Sequence, residues 1–439
     1  MVRLALRPLF VIFIITISWI SNVKANIESL NSIFDQQCSG MFAKSAIPGG
    51  SDPKIEVTYS KESPSDAAVI VYEWADNNNF GVDVDEGKKY ICDDTAIKQN
   101  LCSESELGKF IVSKGQTSIL TSTFKVAGKD QSISYPVNKT GYYCVAALSL
   151  LKGGDFLVVI DWRNPYGELP AADYPKLPFY GLLSLTYLAI GIVWMTLSIV
   201  HWRDILQVQN YISAVILFLM LEMAFNWGYW ENYNTYGYSS KFLLGLVAVL
   251  NAGRNSISFF MLLIVCMGYG VVKPTLGSTM NKCRALAAAH FIFGIIYAAG
   301  TMLINPDTAS PLIFLVIFPL AFTMTAFYVW TLQSITTTLQ TLEIRRQNVK
   351  SLMYKRLYRL LVFSVSVLGI FFFINMFNYI HREDADWIPK YWQWRWFLLD
   401  GWLNILYLIV FSVILVIWRP TRNNKRYPFP SNDSFYSET

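Results

Sequence analysis

The sequence predicts a membrane protein, a seven-helix transmembrane bundle preceded by a small lumenal antiparallel β-sandwich domain. Three observations carry that prediction. Apolar stretches centred on Leu188, Leu219, Ser256, Gly294, Pro319, Gly369 and Tyr407 fill residues 178–418. Each approaches the roughly 20 residues that cross a ~30 Å hydrocarbon core at about 1.5 Å per residue. Ahead of them lies a polar segment with short β-rich runs and four cysteines. At the start, Arg3 and Arg7 precede the apolar run Leu9 to Ile20, and Val23 and Ala25 follow it. That pattern has the form of a secretory signal over residues 1–25, cleaved after Ala25, which would deliver the chain from Asn26 across the membrane.

Residues 26–162 contain candidate strands at Ile55–Tyr59, Ala67–Trp74, Ser118–Val126, Gly141–Leu150 and Phe156–Asp161, separated by turn residues. Such intervals suggest one small antiparallel sandwich. Cys38, Cys92, Cys102 and Cys144 fall in this segment, where an oxidising compartment favours disulfides. Of the three pairings, Cys92 with Cys102 and Cys38 with Cys144 is the favoured one, and the absence of a nearby histidine disfavours zinc. Asn138-Lys139-Thr140 is an N-glycosylation sequon in the compartment where it could be used. Tyr142-Tyr143-Cys144 resembles the late strand of an immunoglobulin domain, although an aromatic strand of another β-sandwich is the preferred reading. The segment has no histidine, Gly-rich phosphate loop or nucleophile motif. It reads as a recognition or structural module, neither an enzyme nor dependent on a cofactor.

Basic residues orient the bundle. With the N-terminal domain outside the cytosol, the cytosolic segments hold Arg203; Lys273, Lys282 and Arg284; Arg345, Arg346, Lys350, Lys355 and Arg356; and Arg419, Arg422, Lys425 and Arg426. The opposite loops carry Lys241, Arg382 and Lys390. The positive-inside rule therefore places the N-terminus in the lumen and the C-terminus, with a short tail at 419–439, in the cytosol. The formal charge of +5 conceals a division, because residues 26–177 hold 14 Lys+Arg against 20 Asp+Glu, a balance of −6. The basic excess thus flanks the membrane, which points to anionic lipid headgroups as partners and not to nucleic acid. Four prolines from Pro165 to Pro178 forbid a continuous helix into the first span. Residues 163–177 therefore read as a Pro-rich, extended and semi-rigid hinge. Between spans five and six, Gln333 to Tyr358 reads as the two helices extending beyond the membrane. Their apolar and basic faces form a candidate surface for lipid or a trafficking factor.

Ionisable groups in hydrocarbon cost a few kcal/mol or more each, so those present mark a candidate site. They are Glu222 in span two, Arg254 in span three and Asp400 near the lumenal end of span seven. Asn226 follows Glu222 by four residues, Asn251 and Asn255 flank Arg254, and Asn404 follows Asp400 by four. Span six adds Asn375 and Asn378. These stripes belong in the bundle interior, with Arg254 expected to pair with Glu222 and Asp400 as its other candidate. The preferred reading is an ion pair that fixes helix packing. The alternative is a hydrated cavity for a lipid, a small solute or an ion. His201, His290 and His381 fall at different depths and cannot converge on a metal. Span seven has no lysine for retinal, and no Glu/Asp-Arg-Tyr triplet ends span three.

The segment from Asn164-Pro165-Tyr166-Gly167-Glu168-Leu169-Pro170 to Leu177-Pro178-Phe179-Tyr180-Gly181 resembles the approach to the first span in the lung seven-transmembrane receptor family. Gly268-Tyr269-Gly270-Val271-Val272-Lys273-Pro274, with Leu276-Gly277, is similar to the end of that family's third span. Trp418-Arg419-Pro420, Asn423-Asn424 and Arg426-Tyr427 are similar to its tail. Glu168 stands where an aromatic residue is expected. The family is also described as Golgi seven-transmembrane proteins with a GOLD-type lumenal domain, and the resemblance is to its fungal-type members. The resemblance implies a GOLD-like lumenal domain, a Golgi or related endomembrane location, and a role in vesicle-mediated trafficking through lumenal cargo or partner recognition. A ligand or lipid receptor, or an ion-conducting protein, is the alternative. From the residues themselves, Gly268 and Gly270 are expected to allow close helix packing, with Pro274 stopping span three.

Overall fold

The computed structural model describes residues 27–32, 35–60, 63–84, 87–113, 118–126, 131–151, 153–303, 311–381 and 384–421. The signal segment and the tail residues Arg422 to Tyr427 lie outside them, as does Arg382. The chain divides into two compact units. The first comprises Met1–Leu177, Trp230–Ser240 and Phe377–Leu399, and the second comprises Pro178–Tyr229, Lys241–Met376 and Asp400–Thr439.

Among the described residues, ten strands build the first unit: β1 Ile27–Leu30, β2 Gln36–Met41, β3 Lys54–Tyr59, β4 Ala67–Glu73, β5 Val82–Val84, β6 Gly87–Lys89, β7 Leu120–Phe124, β8 Ser132–Pro136, β9 Gly141–Ser149 and β10 Val158–Arg163. One four-stranded sheet runs β1-β10-β3-β8 and the other β2-β9-β4-β7, both antiparallel, with β5-β6 a separate hairpin. Alternation decides what faces inward. In β3, Ile55, Val57 and Tyr59 are buried at every second position, and they meet Val69, Val71, Val145, Ile160 and Trp162 in one core. Complete burial of an aliphatic side chain of this kind contributes about 1.5–3 kcal/mol. β4 reads as a continuous apolar run because both of its faces are covered. Ala67, Val69 and Val71 enter the core, while Ala68, Ile70 and Tyr72 pack in a second cluster with Phe80, Phe110 and Cys144.

Disulfides join Cys38 to Cys144 and Cys92 to Cys102, the favoured pairing. The first ties directly opposed residues of neighbouring strands β2 and β9 within one sheet, so the immunoglobulin likeness of Tyr142-Tyr143-Cys144 does not extend to a bridge between sheets. The second closes a small satellite core of Cys92, Ala96 and Ile111. There Asp93 caps the helix Asp94–Lys98 by accepting a hydrogen bond from the Ala96 amide at 2.7 Å.

The expected extended hinge is instead a series of tight turns. Asn164 and Gly167 exchange backbone hydrogen bonds at 3.2 and 3.3 Å, and the buried Asn164 side chain accepts from the Phe42 amide at 3.1 Å. Gly167, at φ +141°, brings its α-carbon so close to Asn234 that a β-carbon would lie 2.5 Å from Oδ1. Asn234 in turn donates to the Tyr166 carbonyl at 2.9 Å. The prolines prevent helix, as expected. Compaction follows because side-chain amides satisfy the turn's backbone groups. In the same unit the Trp392 ring packs edge-on against Phe42 at 5.4 Å, and the Trp74 indole donates to Asp386 at 2.8 Å.

The membrane helices are α1 Lys176–Val200, α2 Gln207–Tyr236, α3 Lys241–Cys266, α4 Ser278–Leu303, α5 Pro311–Ile344, α6 Asn348–Ile380 and α7 Trp402–Ile417. Six are long and apolar enough to cross a bilayer over the described residues, α7 with the π-turn Phe397–Gly401 that precedes it. α5 carries the remaining predicted apolar stretch around Pro319. An N-terminal antiparallel β-domain followed by this helical membrane region is the predicted fold class. α5 and α6 extend to within a three-residue turn of each other, with Arg346 in the left-handed region at φ 52° and Lys355 bridging Glu343 at 2.9 Å.

The third-span glycines require a correction. α3 ends at Cys266, before either of them. Gly268, at φ +86°, donates to the Val265 carbonyl while Tyr269 donates to that of Ile264, the paired bonds of a Schellman cap. A β-carbon at Gly268 would lie 2.8 Å from that of Val272. Gly268 therefore serves a left-handed stop and a tight hook and not helix contact, whereas Gly270, also left-handed at φ +71°, does approach α2, where a β-carbon would lie 3.3 Å from Val208; Pro274 lies beyond the helix end.

Candidate functional site: a buried polar chain in the bundle

Arg254, on α3, is the hinge of a polar chain inside the second unit. Its Nη1 lies 3.4 Å from Glu222 Oε1 of α2 and donates to Asn404 Oδ1 of α7 at 2.8 Å. The Asn404 amide then donates to Asp400 Oδ1 at 3.1 Å, and Tyr180 of α1 donates its hydroxyl to Asp400 Oδ2. One amide thus gives its oxygen to the cation and its nitrogen to the anion, the arrangement its two ends require. Tyr407, one turn after Asn404, places its ring 5.3 Å from the guanidinium, and its hydroxyl shares a 2.6 Å hydrogen bond with Ser258. Four helices, α1, α2, α3 and α7, are joined through side chains alone.

Burial sets the energetic stakes. The Glu222 side chain is 0% exposed and that of Arg254 11%. Two charges in such a place are tolerated because each compensates the other, and removing one typically costs about 3–5 kcal/mol. Satisfaction is uneven along the chain. Asp400 receives hydrogen bonds on both oxygens, whereas neither Glu222 oxygen nor Arg254 Nε has a hydrogen-bond partner among the described residues. At 3.4 Å the Glu222–Arg254 contact is a charge pair and not a well-formed hydrogen bond. The π-turn Phe397–Gly401 contains Asp400 and shifts its register relative to a regular α-helix.

The predicted Arg254–Glu222 pair is present, Asn404 is its third member, and Asp400 reaches Arg254 only through Asn404. Asn226 is buried beside the chain, donating to the Glu222 carbonyl at 3.0 Å. Asn251, expected in the interior, is instead exposed and accepts from Asn255 at 3.2 Å. Asn375 bonds back to the Phe371 carbonyl within α6 at 3.0 Å. Tyr180, Tyr407 and Ser258 were missed. Tyr407 could have been found from its three-residue spacing after Asn404, whereas no periodicity links Tyr180 to Asp400, 220 residues away. His290 lies within the bundle, bonded to Thr323 at 2.9 Å, while the His381 ring stacks on Trp387 in the other unit. Asn138 is exposed. Among the described residues no group of three or more His, Cys, Asp or Glu side chains is placed to hold a metal ion.

The fold and this internal chain define a class, a multi-pass membrane protein with an N-terminal disulfide-linked β-domain. Sequence comparisons narrow it. Residues 175–425 match the model described as GOST, seven transmembrane domain, and residues 34–164 match the PTM1-like N-terminal domain. Membrane protein PTM1 of Saccharomyces cerevisiae is 33% identical over 420 residues, covering 91% of this chain and 80% of that protein. An uncharacterized Schizosaccharomyces pombe protein is 31% identical over 89% of this chain and 79% of its own length. Human Transmembrane protein 87A is 32% identical over 62% of this chain and 48% of its own. The chain belongs to the GOST seven-transmembrane family.

Proposed function

We propose that this protein is a non-enzymatic Golgi or related endomembrane component that acts in vesicle-mediated trafficking, with its β-domain recognising a lumenal cargo or partner. In this reading residues 1–25 are a cleaved signal, Asn138 carries a glycan, and the C-terminus is cytosolic. One observation carries the choice of the β-domain over the bundle interior. Arg254 is engaged by Glu222 at 3.4 Å and by Asn404 at 2.8 Å, so its charge is compensated by side chains of the bundle itself. The motif resemblance to Golgi seven-transmembrane proteins and the placement of the basic residues support the location and the orientation.

A second reading rests on the two Glu222 oxygens, which are fully buried without a hydrogen bond. A cation or a hydroxyl-bearing ligand would supply what they lack. The experiment compares wild type with the triple variant Glu222→Gln, Arg254→Gln, Asp400→Asn, expressed at matched abundance in cells that lack the protein. Cargo sorting restored equally by both supports the β-domain. Ion flux in proteoliposomes that Arg254→Ala abolishes, with folding intact, overturns the adaptor reading in favour of the bundle interior.

A further inference from the structure

A pocket of about 330 Å³ opens where α3 ends, α4 begins and α5 passes beside them. That volume lies near the lower end of the ~300–1,000 Å³ range of small-molecule sites. Its polar lining consists of Lys273, Thr275, Thr279, Gln333, Ser334, Thr337 and Thr338, and no carboxylate is among the lining residues. Lys273 has no ion-pair partner among the described residues. The Thr337 and Thr338 hydroxyls donate to the Gln333 and Cys266 carbonyls, each at 2.8 Å, which leaves Thr275, Thr279, Ser334 and the Gln333 amide as the donors beside Lys273. A single cation ringed by hydroxyl and amide donors is the chemistry that receives an anion with several acceptor oxygens.

The backbone that carries the cation is also fixed in place. Within the hook after α3, the Lys273 amide donates to the Gly268 carbonyl and its own carbonyl accepts from Gly270, both at 2.9 Å. The backbone is thus held on both sides of the side chain that would make the contact, which lowers the ordering cost of binding. Lys282 and Arg284, exposed on the first turns of α4, add positive potential without lining the pocket. Met267, Leu276 and Trp330 supply an apolar wall beside the donors.

We propose that this pocket binds a phosphate-bearing anion, with Lys273 and the surrounding hydroxyls taking the phosphate oxygens. The phosphate could be carried by a lipid headgroup, its glycerol end against Trp330, or by a soluble metabolite. The test uses the full-length protein in phosphatidylcholine nanodiscs. Native mass spectrometry reads retention of added phosphatidylinositol 4-phosphate, and calorimetry reads binding of inositol 1,4-bisphosphate. Lys273→Gln is expected to weaken binding about tenfold, the loss of one charge-assisted hydrogen bond. Lys282→Gln should change it by less than about twofold. Thr279→Val with Ser334→Ala gives an independent variant should Lys273→Gln fold poorly, and it too should weaken binding. Retention of the lipid alone assigns the headgroup, and binding of the soluble anion assigns the metabolite. Binding of neither probe, or equal losses from Lys273→Gln and Lys282→Gln, overturns the proposal.

Discussion

Asn404 shows how much one amide can organise when it is buried between opposite charges. Its oxygen faces Arg254 and its nitrogen faces Asp400, so deleting either charge leaves one end of the buried amide without that partner. Arg254→Leu alone should destabilise the protein by roughly 3–5 kcal/mol, because Glu222 is left charged, buried and unpaired. Glu222→Leu combined with Arg254→Leu should recover most of that loss, as read by thermal unfolding in detergent; equal losses for the single and double variants would refute the coupling. The β-domain offers a pH test. Burial raises the Glu28 carboxyl above the ordinary glutamate value, and the hydrogen bond it accepts from the Trp162 indole opposes that rise only in part. A carboxyl raised on folding favours the native state fully below its unfolded pKa, and that contribution is lost as pH rises through the folded one. Glu28→Gln should therefore match wild type in acid and become the more stable of the two toward neutral pH, measured as melting temperature against pH. Glu222 and Arg254 were legible in the sequence because charge in an apolar run is conspicuous and both lie near mid-span. Asp400 and Tyr180 were not legible as a pair, since nothing in a linear pattern reports that α1 lies against the start of α7.

Elements differed in legibility for a physical reason. β3, β4, β9 and β10 bury whole faces and read as apolar or alternating runs, whereas β2 is Gln-Gln-Cys-Ser-Gly-Met and β8 alternates exposed with partly buried residues. Strands of the latter kind exist through pairing, which composition does not reveal. The long α5–α6 hairpin was legible because its apolar residues continue at helical spacing past the membrane boundary. The Gly268 cap was not, because glycine serves helix contact and helix termination equally well and only the φ angle separates the two uses. The two disulfides should differ in weight. Cys38–Cys144 spans 106 residues of sequence and Cys92–Cys102 spans 10. Loop-closure entropy then assigns about 5 kcal/mol to the first and about 3 kcal/mol to the second. Paired Cys→Ser variants should therefore lower the unfolding temperature more for the first bond, and the reverse order would show that the satellite core around Cys92 dominates the domain's stability.

At the scale of the molecule, the distribution of charge is what the proposed orientation rests on. Arg395 joins Lys241, Arg382 and Lys390 on the less basic side, which leaves the asymmetry with the thirteen named residues opposite it intact. The proposed orientation predicts that Asn138→Gln removes an endoglycosidase-sensitive mobility shift. It also predicts that a cysteine introduced at Arg346 is labelled by an impermeant reagent in sealed vesicles with the cytosolic face outward, without opening the membrane. Labelling from the lumen would reverse the assignment. The sheet order carries a consequence for synthesis. β10 is inserted between β1 and β3, so the sheet that holds the first strand cannot close until the last one has emerged. Residues 158–163 complete it, and α1 begins at Lys176 only a short stretch later. At ribosomal speeds of roughly 5–20 residues per second, the domain becomes able to fold within seconds of the moment when the first hydrophobic helix reaches the translocon. Without β10, β1 and β3 have no strand between them, so the completion of this sheet and the emergence of α1 fall close together in synthesis.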